Sequence, residues 1–191
     1  MGNGLEAFGR SLDGFDNVLQ TTHPDVWEQL SPCPPWTARD VTGHVIGGLL
    51  WVGQLISGES EAVIPAEAFE SGPGVMAGPD PLATWLTARH DFVTACTPEA
   101  MERKVRWPFG EQMVDKGLGW FSLEPLIHTW DLASATGRNV RLDAELVHQH
   151  LVRLRPLSEH LRGPGAYGPE LEVRADVDEQ DQLLAFLGRR T

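Results

Sequence analysis

Cysteine is scarce in this chain: Cys33 and Cys96 are the only two among 191 residues. Neither falls in a zinc-finger or redox spacing, and two cysteines make no disulfide framework. Basic residues are also few, 15 against 27 acidic ones, for a formal net charge of -12. Such a surface repels phosphate backbones and anionic headgroups, which argues against nucleic-acid or membrane-surface partners. Long hydrophobic runs are missing: the longest, Val45 to Ile56, contains three glycines and is too short to span a bilayer. The stretch from Met1 to Glu6 lacks the basic and apolar regions of a signal peptide. No Gly-rich phosphate loop or serine elbow occurs. The expectation is a cytoplasmic protein with a small-molecule partner, as a monomer or homodimer. A hydrophobic content of 41% suits one domain over 1–191 with a real core.

What is there reads mainly as helix. Phe8, Leu12, Phe15, Val18 and Leu19 recur at helical spacing, predicting a first helix over 5–21. The proline-rich Ser31–Trp36 segment cannot continue a helix. Thr37 with Asp40 resembles a capping box that opens a second helix to about Ser57. Residues 58–80 read as a long crossover loop, a length typical of lids and binding elements. A third helix is expected over 81–97, with Leu82, Trp85, Leu86, Phe92, Val93 and Cys96 facing inward. Lys104–Trp107 and Glu111–Val114 predict a short β-hairpin around Pro108-Phe109-Gly110. A helix over 116–136 should stop at Gly137, and another should cover 143–161. After Gly163-Pro164-Gly165, a strand over 171–175 and a short helix over 179–187 form a small C-terminal extension. The fold class is all-α, a helix bundle, whose facing helices are a usual home for metal ligands.

The most informative segment is Leu123-Glu124-Pro125-Leu126-Ile127-His128-Thr129-Trp130-Asp131. Helical spacing brings Glu124, His128 and Asp131 onto one face. Their neighbours are apolar, so burying them is costly unless something compensates, and a metal ion would do so. A second imidazole, His44, sits in another apolar helical stretch. Two histidines and a glutamate make an open three-ligand set, leaving positions for water or substrate. Alternatively, each histidine is a core residue bonded to a backbone carbonyl.

Two ordered motifs carry a resemblance. Cys33-Pro-Pro-Trp36-Thr-Ala-Arg-Asp40-Val-Thr-Gly-His44 is followed later by Glu124-Pro-Leu-Ile-His128-Thr-Trp130-Asp131-Leu-Ala-Ser-Ala-Thr-Gly137. Together they resemble the DinB-like metal-binding bundles, in the branch typified by the N-terminal domain of mycothiol-dependent maleylpyruvate isomerase. The run from Asp178 to Arg189 resembles the ending of single-domain members of that branch. The resemblance implies a four-helix bundle holding a divalent metal through His44, Glu124 and His128. It also implies thiol-dependent chemistry on a small electrophile. The isomerase's further domain has no counterpart here, which makes maleylpyruvate a doubtful substrate.

Other residues have two readings each. Asp40 either orients His44 from one turn away or caps the second helix. Asp131 either supports the metal shell or pairs with an arginine. Arg89, read as inward-facing, pairs with Asp131 or Asp40, or grips a substrate carboxylate. Gly47 and Gly48 leave room for a ligand beside the metal, or let helices pack closely. Trp51 and Trp120 line a pocket or fill the core. Cys33 reads as structural, and His23, His90, His148, His150 and His160 as ordinary surface or core histidines.

The reading that joins these is a metal-dependent transferase or isomerase, with zinc (or nickel or iron) and mycothiol as cosubstrate. Its rivals are a hydrolase or cyclase using metal-bound water or carbonyl polarisation, and a non-catalytic binding module. A bulky cavity lined by Trp and Phe would favour the cyclase; a basic patch would favour a charged thiol.

Overall fold

The computed structural model describes residues 4–58, 71–161, 167–174 and 176–191, with the side chain of His160 outside that description. Along the chain come α1 (Gly4–Leu19), α2 (Ala38–Ser57), α3 (Pro81–Ala95) and the single turn α4 (Pro98–Met101). Strands β1 (Lys104–Trp107) and β2 (Gly110–Met113) follow, then α5 (Val114–Phe121), α6 (Leu123–Ala135), α7 (Ala144–Leu154) and α8 (Glu179–Phe186). The bundle is formed by α1, α2, α3 and the α5–α6 pair. In it α1 packs on α5 and α6, while α2 packs on α3 and α6.

Each bundle helix begins and ends for local reasons. Thr37 and Asp40 form the expected capping box at the start of α2. The expected helix over 116–136 is instead two, α5 and α6, meeting at Ser122. Pro125 explains the break, since it has no N–H to give the carbonyl four residues earlier. At the other end Gly137 adopts φ 71°, as expected, and Arg138 N–H closes on Ala133 O at 2.8 Å.

Helix α6 is buried all round: every residue from Leu123 to Ala133 is buried except Glu124. One side, through Leu132 and Ala133, joins the bundle core with Phe8, Phe15, Ile46 and Trp85. The other, through Leu126, Ile127 and Trp130, joins a second cluster with Leu146 and Leu151 of α7 and Leu183 and Leu184 of α8. The C-terminal extension therefore forms an outer layer over the back of the helix that carries Glu124 and His128.

Several sequence expectations change. Leu86 and Val93 are exposed, whereas Trp85 and Phe92 face inward as expected, joined by Ala88. The last long helix stops at Leu154 and continues to Leu161 as a 3-10 helix, Pro156 again removing a donor. No strand forms over the described part of 171–175; Leu171 N–H bonds Ala185 O at 3.0 Å beside α8. The turn α4 has no counterpart in the expected elements. The hairpin is present, with Trp107 opposite Gly110 and Pro108-Phe109 at its tip. Most of the expected crossover loop, 59–70, and Gly163-Pro164-Gly165 lie outside the described residues. The described remainder includes a 3-10 turn, Pro73–Ala77, laid tightly along α2. A Cβ on Gly43 would sit 2.0 Å from Pro73 O, so only glycine admits this approach. Among the described residues no helix is long and apolar enough to cross a membrane.

Candidate metal centre

His44 from α2 meets Glu124 and His128 from α6 in the groove between the two helices. Glu124 Oε2 stands 3.3 Å from His44 Nε2 and 3.6 Å from His128 Nε2. The ligand atoms of all three lie within 4.8 Å of one another. Donors at the usual zinc bond lengths around a tetrahedral ion are separated by about 3.3–3.5 Å. Glu124 Oε2 therefore stands from each imidazole at about the separation such an ion requires, and the group could hold a metal.

The outward atoms of these side chains are tied down. His128 is buried, and its Nδ1 is 2.9 Å from Asp131 Oδ2, so the pairing with a carboxylate sets Nδ1–H and leaves Nε2 as the free lone pair. Tyr167, the single tyrosine, donates its hydroxyl to Glu124 Oε1 at 2.9 Å, leaving Oε2 for the imidazoles. Trp36 lies against both rings, its centroid 4.7 Å from His44 and 5.9 Å from His128.

Asp131 is fully buried and has a second partner, the equally buried Arg189, whose Nε and Nη2 approach the two carboxylate oxygens at 3.3 and 2.9 Å. Asp131 thus takes the arginine-pairing reading, and it bonds His128 as well. The arginine is Arg189, not Arg89. Arg89 pairs with Asp13 and Asp16 of α1, and those two carboxylates already meet its charge. Its expected inward place rests on a set of which Trp85 and Phe92 are buried but Leu86 and Val93 are exposed. Asp40, for its part, takes the capping reading. Its Oδ2 receives Thr37 N–H at 2.9 Å, and its Oδ1 receives Gly74 N–H at 3.0 Å, stapling the Pro73–Ala77 turn to α2.

These contacts set the charges. Burial alone would raise the Glu124 carboxyl, but bonds to His128 and His44 overcome it and hold the group well below the usual carboxylate range. Burial opposes protonation of His128, yet Asp131 and Glu124 raise its imidazole above the ordinary value. Asp131 would likewise be raised by burial, and His128 and Arg189 bring it below its usual range. Both thiols are pushed up by burial, Cys96 to about 11 and Cys33 against the opposing pull of Arg189, whose Nη2 is 3.7 Å from its sulfur. Thiols so raised are mostly protonated at neutral pH and make weak nucleophiles.

A cavity of about 340 Å³ opens beside His44. Trp51, Phe121, Met76, Pro73 and Pro108 line it. Gly47 and Gly48 complete the wall, so their missing side chains are what leaves the room. Trp51 stands in that wall, 5.8 Å from Phe121 between ring centroids, and packs against the bundle core as well. Trp120 packs instead beneath Arg153 and against Phe109. Of the remaining histidines, His150 is buried and bonded to Ser122 Oγ at 2.9 Å, and burial pushes it down to about 4.

The profile of the mycothiol maleylpyruvate isomerase N-terminal domain matches residues 8–133. The chain belongs to that family. Two curated relatives, both uncharacterized proteins of Mycobacterium tuberculosis (strains CDC 1551 / Oshkosh and ATCC 25618 / H37Rv), are each 33% identical over 187 residues. Each match covers 97% of this chain and 97% of the relative. Two crystal structures, of mycothiol-dependent maleylpyruvate isomerase and of a histidine-to-alanine mutant of it, superpose with TM-scores of 0.65 at 15% identity. They cover 84% of this chain and 72% of the isomerase, and at that identity they establish the shared fold. The family match ends at 133, so Tyr167 and Arg189 reach the site from outside it.

Sequence reasoning missed three contributors, Trp36, Tyr167 and Arg189. A buried Asp131 does demand a cation, and Arg189 follows the apolar run Leu183–Leu187 that anchors α8. That was the available signal. Nothing in the sequence around Tyr167 marks it.

Proposed function

We propose that this protein is a divalent-metal-dependent enzyme acting on a small electrophilic metabolite, with a low-molecular-weight thiol such as mycothiol as nucleophile. The observation that carries the reading is the disposition of Glu124: Oε2 faces both imidazoles while Tyr167 holds Oε1 and Asp131 holds the far side of His128. A divalent ion at the three ligands, with zinc, nickel or iron all compatible with them, would supply the charge that favours thiolate over thiol. The chain's own residues do the rest. Arg189 and Asp131 keep the His128 ring fixed, and Trp36 shields both imidazoles from one side. The cavity beside His44 receives the electrophile. Thiolate addition forms a carbon–sulfur bond at the expense of a carbon–carbon π bond. Expulsion of the thiolate after bond rotation gives an isomer, and protonation with retention of sulfur gives a conjugate.

One observation favours a thiol-free alternative, hydrolysis or ring closure of a metabolite: the cavity is walled by Trp51 and Phe121, and no lysine or arginine lines it among the described residues. Metal analysis of protein purified without chelator or affinity-tag nickel, followed by turnover assays with and without mycothiol, separates the two. Metal at one equivalent and thiol-dependent turnover support the first reading. Full turnover in thiol-free buffer replaces it with the second, and absence of bound metal removes both.

A further inference from the structure

We infer that the electrophile enters the cavity beside His44 through an uncharged aromatic or branched-alkyl group, and that a substrate carrying a carboxylate on that group is rejected. The inference deepens the proposed function and rests on that reading for the word substrate, but the binding it describes stands on the cavity alone. The walls are two aromatic rings, two prolines, a methionine side chain and the bare backbone of Gly47 and Gly48. Among the described lining residues His44 is the one titratable side chain. A carboxylate placed there would lose its water and gain no guanidinium, ammonium or hydroxyl in exchange, and would approach Glu124 beyond His44. The arginines nearest in argument are engaged elsewhere: Arg189 with Asp131, and Arg89 with Asp13 and Asp16. Apolar surface, by contrast, is matched on every described wall, and about 340 Å³ lies at the small end of ligand-binding cavities. The occupant is therefore compact, near the size of one substituted ring.

The two glycines set that size. A Cβ on Gly48 would lie 3.5 Å from the Phe121 ring, and one on Gly47 would lie 3.5 Å from Met76 Cγ. Both are ordinary contacts. A methyl group can thus be added at either position, in the cavity wall, without displacing the protein. Gly43 offers no such variant, because its Cβ would strike Pro73 O.

The test uses benzylideneacetone, an uncharged aromatic enone, and its ring-carboxylated analogue, added to full-length protein without thiol. Binding is read from the methyl resonance of Met76 in protein labelled at methionine methyls. Benzylideneacetone should shift that resonance, and the carboxylated analogue should bind at least about a hundredfold more weakly. Gly48→Ala should weaken the enone by about tenfold with an unchanged or raised Tm, and Gly48→Leu should abolish the shift. An enone that leaves Met76 unmoved, equal binding of the two probes, or undiminished binding by Gly48→Leu would each overturn the assignment. Adding mycothiol afterwards tests the other reading separately. Binding at Met76 without any thiol adduct removes the thiol mechanism and leaves the pocket. An adduct formed while Met76 stays silent does the reverse.

Discussion

The two halves of the site are built in opposite ways. On the α6 side, His128 is buried, its Nδ1 is fixed by Asp131, Asp131 is gripped by Arg189, and Glu124 is held by Tyr167. On the α2 side, His44 is 37% exposed at its side chain and borders an apolar cavity, and Glu124 is its one hydrogen-bonding partner among the described residues. Each histidine has an aspartate about one helical turn away, yet Asp131 orients its neighbour and Asp40 does not. The difference lies in what else each carboxylate can reach. Asp40 sits where unpaired backbone N–H groups compete for it, at the start of α2 and in the Pro73–Ala77 turn. Asp131 sits mid-helix, away from free N–H groups, and only His128 and Arg189 can offset its burial. One half is tied down by polar partners and the other borders an open cavity.

The largest test of this contrast is to break the tied-down side. Arg189→Met leaves Asp131 buried beside His128 alone, and should cost about 3–5 kcal/mol in urea unfolding. Asp40→Asn, which disturbs a cap, should cost about 1 kcal/mol. Equal losses would erase the distinction between the two aspartates.

Metal removal comes next. Chelation should lower Tm, with up to about 4 kcal/mol lost where free ion had stood at a thousandfold of its Kd. His128→Ala should abolish both the bound metal and the response to chelator. His44→Ala should do the same to metal binding while costing less stability than His128→Ala, because its ring is partly exposed. Metal content unchanged in either variant would exclude that residue as a ligand.

The pH dependence divides by group. His150 stays neutral when folded, down to about 4, whereas in the unfolded chain it protonates near 6.5. The unfolded state binds the extra proton, so stability should be fully present above about pH 6.5 and fall by about 3 kcal/mol on descent to pH 4. His150→Phe should flatten that part of the curve. His128 has the opposite sign: in ion-free protein its raised value adds stability below the ordinary imidazole pKa, lost as pH rises through the folded one. The same proton competes with metal, so affinity should climb as pH rises through that titration. Asp131→Asn, which weakens the proton's hold, should move the climb to lower pH.

Smaller effects close the series. Tyr167→Phe should weaken metal binding by about tenfold, since Glu124 loses the bond to Oε1. Cys33→Ser/Cys96→Ser should keep most turnover, whereas Glu124→Ala should lose it together with the metal. Loss of turnover in the double cysteine variant would make one of the raised thiols the nucleophile after all.

The His44, Glu124 and His128 group is legible in the sequence because helical periodicity is a strong signal: Glu124 and His128 four apart in an apolar run, with His44 in another. The capping box at Thr37 and the stop at Gly137 were legible for the same reason, since each is a local rule. Failures came where a local rule had to be extended. The break at Ser122 needed Pro125 to be read as ending one helix inside an unbroken apolar pattern. Apolar residues around Arg89 on α3 read as an inward face, but Leu86 and Val93 of that set are exposed. Arg189 and Tyr167 reach the site across 58 and 43 residues of chain, and no periodicity encodes a contact at that separation.

That separation has a consequence during synthesis. At about 5–20 residues per second, some 3–12 s pass between translation of Asp131 and of Arg189. Over that interval the nascent bundle carries a carboxylate in its most buried helix without the guanidinium that balances it. The helices that hold His44, Glu124 and His128 are complete while the α8 layer is still unmade. Final locking of the His128 ring therefore waits on the last-made layer, and a chain ended between Gly137 and Arg189 would carry His44, Glu124 and His128 with no clasp behind them.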